Sequence, residues 1–120
     1  MRIMLVEDND VFREAFRQEL SGRYPFAIVT EAANGEEAMR EIKMLPPQII
    51  FMDFQLPGEN GIQLTKKIKA QFPNICIAML TSYDFPEYRQ AAHQNGADHY
   101  FIKDSFSWDE VEEVIGYYSA

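Results

Sequence analysis

The chain has 120 residues, with 19 Asp+Glu against 11 Lys+Arg for a net charge of −8, and 47% hydrophobic and 25% charged residues, an ordinary globular composition. This length predicts one compact domain over residues 1–120 that buries a core without staples, and the acidity, with no Lys/Arg-rich cluster, disfavours a chain that grips nucleic acid through phosphate neutralisation. The lone Cys76 excludes a disulfide framework and points to a reducing cytoplasm, and no apolar run approaches the ~20 residues of a membrane helix.

The first strand is predicted at Ile3–Val6; it runs straight into Glu7-Asp8 and is too short to be a signal peptide. Phe12, Ala15, Phe16 and Leu20 then share one helix face. A second strand is expected at Phe26–Val29. Asn34 with Glu37 has the capping-box spacing and opens a helix whose apolar face is Ala38, Ile42 and Leu45, closed by Pro46-Pro47. Ile49–Met52 is the third strand. Leu64, Ile68 and Phe72 repeat at helical spacing before Pro73-Asn74, and Ile75–Leu80 is the fourth strand. Tyr88, Ala91 and Ala92 give a weaker helix stopped by Asn95-Gly96. Tyr100–Ile102 is the fifth strand, and Ser107 with Glu110 caps a last helix carrying Val111, Val114, Ile115 and Tyr118.

Most of these strands are continuous apolar runs, as parallel strands covered on both faces require. A strand-helix unit repeated five times gives an α/β, doubly wound parallel sheet with helices on both faces. In such sheets the functional crevice lies beyond the carboxyl ends of the strands. There the sequence places Glu7-Asp8 after strand one, Asp53 after strand three, Thr81-Ser82 after strand four and Lys103 after strand five. With strands one and three adjacent, three carboxylates converge, and charges that close need a cation to stay ionised. Oxygen-only donors suit Mg²⁺ rather than zinc or copper. Carboxylates, a hard cation, a lysine and a hydroxyl make a phosphoryl-transfer site, with Asp53 as nucleophile forming an acyl phosphate. Each piece alone has a plainer reading, and an isolated acid after a strand is a solvated loop residue by roughly nine to one. Four strand ends contributing complementary groups reverse those odds.

Val6-Glu7-Asp8-Asn9, the stretch from Asp53 through Pro57 to Gly61, Thr81-Ser82, and Gly96-Ala97-Asp98 leading to Tyr100-Phe101-Ile102-Lys103 together resemble a bacterial two-component response-regulator receiver domain over essentially the whole chain. The resemblance implies a flavodoxin-like fold with strand order 2-1-3-4-5. It implies that Asp53 accepts a phosphoryl group from a phosphohistidine of a sensor histidine kinase. Asp8 and Asp53 would bind Mg²⁺ directly with the Gln55 carbonyl, Glu7 acting through water; Lys103 would contact the phosphoryl group. Thr81 would move to hydrogen-bond it, Tyr100 would turn inward as the coupled switch, and the fourth helix, fifth strand and fifth helix would carry the readout. Small Ser82 suits close approach of backbone and phosphoryl group, while Gln55 and Tyr83 stand where the family tunes access of hydrolytic water. Asp104, rather than a cis-proline, follows Lys103, as is frequent in NarL/LuxR-type regulators, so transcription control and DNA contact are expected only through a helix-turn-helix output domain that 120 residues leave no room for. The expected protein is a cytoplasmic phosphoacceptor, not a turnover enzyme and not membrane-bound. Pairing of two copies through the fourth or fifth helix is left open.

His93 and His99 match no metal-ligand spacing and read as surface or packing residues. Cys76 reads as inert core, Trp108 as packing or partner surface, and Lys66-Lys67-Lys69 as a solvated helix face; without the family pattern Tyr100 is a half-buried strand aromatic. A flavin-nucleotide binder is disfavoured because Glu7-Asp8-Asn9-Asp10 would repel its phosphate. A haloacid-dehalogenase-type phosphatase wants a second acid where Gln55 stands. A pseudo-receiver would lack an acid or the lysine, and none is missing.

Overall fold

In a computed structural model that describes residues 1–119, strand and helix alternate strictly: β1 (Arg2–Val6), α1 (Asp10–Arg23), β2 (Ile28–Ala32), α2 (Gly35–Met44), β3 (Ile49–Met52), α3 (Gly61–Gln71), β4 (Cys76–Thr81), α4 (Pro86–Gln94), β5 (His99–Ile102) and α5 (Trp108–Ser119). The five strands are all parallel, in the order β2-β1-β3-β4-β5. This is the flavodoxin-like topology expected from the motifs. β3 and β4 are buried at every position, which is why they are unbroken apolar runs.

Because side chains alternate across a strand, each central strand feeds two cores. Met4, Val6, Ile50, Met52, Ile77 and Met79 face Ala38, Ile42, Leu64 and Ile68 of α2 and α3. Their neighbours Ile3, Leu5, Ile49, Phe51, Ala78 and Leu80 face Phe16 and Leu20 of α1 and Val111, Val114 and Ile115 of α5. Each large aliphatic or aromatic side chain fully buried this way stabilises the fold by about 1.5–3 kcal/mol. Both faces of the sheet are therefore closed, and its carboxyl edge is left to the loops.

The second strand begins later than expected. Phe26 is outside it and 94% exposed, because Ala27 N–H donates to Tyr24 O in a turn and the ladder starts only where Arg2 pairs with Ile28. The caps differ too. Asn34 accepts from Glu37 N–H as predicted, but the Glu37 carboxylate reaches back one residue further, to Ala33 N–H. Ser107 Oγ accepts from Asp109 N–H, and Glu110 N–H goes to the Ser107 carbonyl. A reciprocal box forms instead at Asn60 and Gln63, with bonds of 2.9 and 3.2 Å. Gly96 ends α4 at φ +106°, the left-handed stop its position after Asn95 predicts.

The Gly96-Ala97-Asp98 stretch sets the register of β5. Asp98 Oδ2 accepts from Ile77 N–H at 2.9 Å and from Lys69 Nζ at 2.7 Å, and Asp98 N–H donates to Ile77 O. Among the described residues no helix is long and apolar enough to cross a membrane.

Candidate functional site

Parallel pairing of β1 and β3 puts Val6 beside Met52, and Asp53 N–H donates to Val6 O at 2.9 Å. The residues that follow each strand, Glu7 and Asp53, are thereby brought side by side. One carboxylate oxygen from each of Glu7, Asp8 and Asp53 lies within 4.8 Å of the others. Glu7 and Asp53 are 5% and 7% exposed, whereas Asp8 faces solvent. From the far side, Lys103 N–H continues the β4–β5 ladder to Thr81 O, and its ammonium binds Glu7 Oε1 while lying 3.5 Å from Asp53 Oδ1. The four charged residues expected at the strand ends therefore meet in one cluster.

The electrostatics follow from this crowding. Burial pushes the Asp53 carboxyl up to about 7, and the Glu7 carboxylate pushes the same way; Lys103 and the Gln55 backbone N–H pull it down but do not prevail. Three carboxylates against one ammonium leave an excess of negative charge on hard oxygen donors. That donor set fits Mg²⁺ and has no nitrogen or sulfur for a softer metal.

Thr81 and Tyr100 lie on the neighbouring strands β4 and β5. Thr81 is buried at the end of β4, and its Oγ1 accepts from Tyr83 N–H at 3.2 Å. Tyr100 is half-buried, and its hydroxyl donates to Tyr83 O at 2.7 Å. Gln55 and Asp8 are exposed and line one shallow groove with Pro57 and Asn60. Ser82 is exposed beside Thr81. The histidines join no site; Cys76 is buried and free. Trp108 stacks on Phe16 with centroids 5.0 Å apart and lies under the Arg23 guanidinium, so it packs.

Several residues support the cluster in roles that the sequence does not assign to them. Asn9 caps α1 through Phe12 N–H, and its own N–H donates to Glu7 Oε2 at 3.1 Å. Arg13 Nη1 donates to the Glu7 carbonyl at 2.6 Å and pairs with Asp10 and Glu31. The Phe12 ring lies 4.5 Å from Lys103 Nζ, a cation–π contact that steers the ammonium over the acids. Only Asn9 had a local signal, a capping residue just before an amphipathic run. Gly61 closes the site from below, its N–H donating to Phe54 O at 2.7 Å.

Residues 3–115 match the response regulator receiver domain family. The transcriptional regulatory protein YhcZ of Bacillus subtilis (strain 168) is 37% identical over 115 residues, which are 96% of this chain and 52% of that protein. A LuxR-family two-component response regulator from Aurantimonas sp. SI85-9A1 superposes with a TM-score of 0.89 at 32% identity, over 98% of this chain and 84% of that one. The signal receiver domain of the response regulator NarL from Mycobacterium tuberculosis gives a TM-score of 0.86 at 26% identity, covering 99% and 96% of the two chains. The chain spans about half the length of the curated relatives it matches. With the strand order, the acidic cluster and the lysine on the same edge, these matches show that the chain belongs to the response regulator receiver domain family of two-component systems, among relatives of NarL/LuxR type.

Proposed function

We propose that residues 1–120 act as one phosphorylation-controlled switch, in which Asp53 accepts a phosphoryl group from a phosphohistidine of a sensor histidine kinase. The observation that carries this reading is the meeting of Glu7, Asp8, Asp53 and Lys103 at the carboxyl ends of three strands. An Asp53 oxygen forms the new O–P bond as the P–N bond breaks, and the departing imidazole nitrogen keeps the electron pair and takes a proton from solvent. The attack requires the ionised carboxylate. Glu7, Asp8 and Asp53, with the Gln55 carbonyl, would hold Mg²⁺, which when bound supplies charge neutralisation to the phosphoryl oxygens. Lys103 lies close enough to Asp53 to share that charge, and the Thr81 hydroxyl, whose oxygen accepts from Tyr83 N–H, has a proton it can donate to a phosphoryl oxygen. The protein is thus a self-modifying phosphoacceptor rather than a turnover enzyme. Its readout is the face of α4, β5 and α5; its setting is the cytoplasm, and its output is transcription, with DNA reached through a helix-turn-helix domain as the LuxR-family kinship suggests.

Incubation with Mg²⁺ and a small acyl-phosphate donor should add one phosphoryl group to the intact mass, mapped to the peptide containing Asp53, and chelation should block it. No mass gain, or a gain mapped elsewhere, overturns the assignment. Lys103→Ala should slow the gain about 10²–10³-fold, the usual loss for removing one group that stabilises developing charge. A wild-type rate in that variant would remove Lys103 from the chemistry.

A further inference from the structure

We propose that Arg89 is a positioning residue for Tyr100, tying the ring and the loop after β4 to α4 so that this helix moves with the phosphoryl site. The proposal rests on the assignment of that site to Asp53. Arg89 Nε binds Asp84 Oδ1 at 2.8 Å, and its guanidinium carbon lies 4.8 Å from the centre of the Tyr100 ring. Tyr100 in turn donates to Tyr83 O at 2.7 Å, and Tyr83 N–H donates to Thr81 Oγ1 at 3.2 Å. Asp84 follows Tyr83 directly. The contacts therefore close a circuit from Thr81 through Tyr83, Tyr100 and Arg89 back to the loop.

An exposed Arg–Asp pair alone carries little weight. Here one flat guanidinium does two jobs, its edge holding a carboxylate and its face covering an aromatic ring. Without that cover the Tyr100 hydroxyl competes with water for the Tyr83 carbonyl. The helix that Arg89 belongs to is also weakly anchored. Of α4 only Ala92 is buried, and its first residue follows Phe85, which provides no side-chain cap. Its other hold is the half-exposed Tyr88 ring, which packs against Phe54 and Tyr83 at centroid distances of 4.9 and 5.8 Å, so the helix moves with the loop after β4 at little cost. When the Thr81 hydroxyl turns toward a phosphoryl oxygen, the Tyr83 amide loses or strains its partner, and the Tyr83 carbonyl moves the Tyr100 hydroxyl bonded to it. The ring carries Arg89, and Arg89 carries α4. In population terms, Arg89 favours the conformer with Tyr100 packed against the loop, and a phosphoryl mimic that prefers this conformer binds more tightly for it.

The test uses Arg89→Ala and Arg89→Lys with isotope-labelled tyrosine, following the Tyr100 ring resonances and the affinity for beryllofluoride in Mg²⁺. In Arg89→Ala the ring signal should move toward that of a solvent-averaged tyrosine before any ligand is added, and beryllofluoride should bind about two- to fivefold more weakly, the range of one partly exposed cation–π contact. Arg89→Lys should recover part of both. An unmoved ring signal, undiminished beryllofluoride affinity, or a lysine variant indistinguishable from alanine would overturn the proposal. Absence of beryllofluoride binding by the wild-type protein would overturn the Asp53 assignment instead, and the ring signal would still decide whether Arg89 positions Tyr100.

Discussion

Asp53→Asn should abolish phosphoryl uptake and, at pH 7.5 in the presence of a chelator, yield a more heat-stable protein than the wild type. Both effects come from one carboxylate. The chemical effect is total because the carboxamide oxygen of asparagine is a poor nucleophile and its acyl phosphate cannot form. The stability effect has a sign fixed by linkage. The folded Asp53 carboxyl sits at about 7 against an ordinary value of 3.8, so between those values the folded protein binds a proton that the unfolded chain has released. Stability therefore falls as pH rises through that window and is lowest above the folded value, where the buried carboxylate is charged beside Glu7. Asparagine carries no charge to desolvate and removes this pH dependence. The shift corresponds to about 4 kcal/mol; because asparagine also leaves Lys103 with one carboxylate fewer, the expected gain at pH 7.5 is about half of that, roughly 5–10 °C in Tm, and it should vanish near pH 4. Added Mg²⁺ should raise the wild-type Tm through binding to the folded state and have a smaller effect on the variant. Thermal unfolding at pH 4, 6 and 7.5, with and without Mg²⁺, measures all of this. A variant less stable than wild type at pH 7.5 would show that Lys103, not burial, governs Asp53.

The same carboxylate shows what the sequence could and could not disclose. Asp53 was legible because it ends an unbroken apolar run, and such a run is a strand buried on both faces whose exit points at the crevice. β2 was legible only in outline. It is an edge strand, so Thr30 and Glu31 take part in the ladder, and apolar Phe26 just before it is almost wholly exposed; apolar continuity is a poor guide where only one side of a strand is covered. Convergence of Glu7 and Asp8 on Asp53 depended on strand order, which the motifs supplied. The supporting residues were harder. Phe12 and Arg13 lie on α1 yet act on groups at the ends of β5 and β1, and Arg89 on α4 acts on a β5 ring. Contacts between elements distant in the chain leave no periodicity. The reciprocal cap at Asn60 and Gln63 is a legible pattern too, with the cap spacing standing just before the apolar face that starts at Leu64.

Gly61→Ala should be the most damaging single-methyl change in the chain, and two other glycines show why. A Cβ at Gly61 would lie 2.1 Å from the Asp53 carbonyl oxygen and 3.1 Å from Met52 Cγ. The backbone at Gly61 is not left-handed, since only Gly58 and Gly96 have positive φ among the described residues. The requirement is room. β3 lies between β1 and β4 in the sheet and cannot yield, so relief must come from moving the start of α3, where Gly61 N–H holds Phe54 O and Gly61 O accepts from the Thr65 hydroxyl at 2.7 Å. The loop between those points carries Gln55 and ends on Asp53 itself. The expected loss is about 3 kcal/mol or more, at the upper end for overpacking a rigid site, with a Tm fall of roughly 10 °C or more and a phosphorylation rate reduced even in the folded fraction. Gly58→Ala, with φ +85° and nothing within 4 Å, should lose only about 1 kcal/mol, the strain of a left-handed residue. Gly116→Ala, within α5 and also open, should gain about 0.5–1 kcal/mol from helix propensity. Denaturant unfolding of the three variants gives the order directly. If Gly61→Ala ranks with Gly58→Ala, α3 is free to slide away from β3, and the tight closure of the loop beneath Asp53 is not what fixes the acid in place.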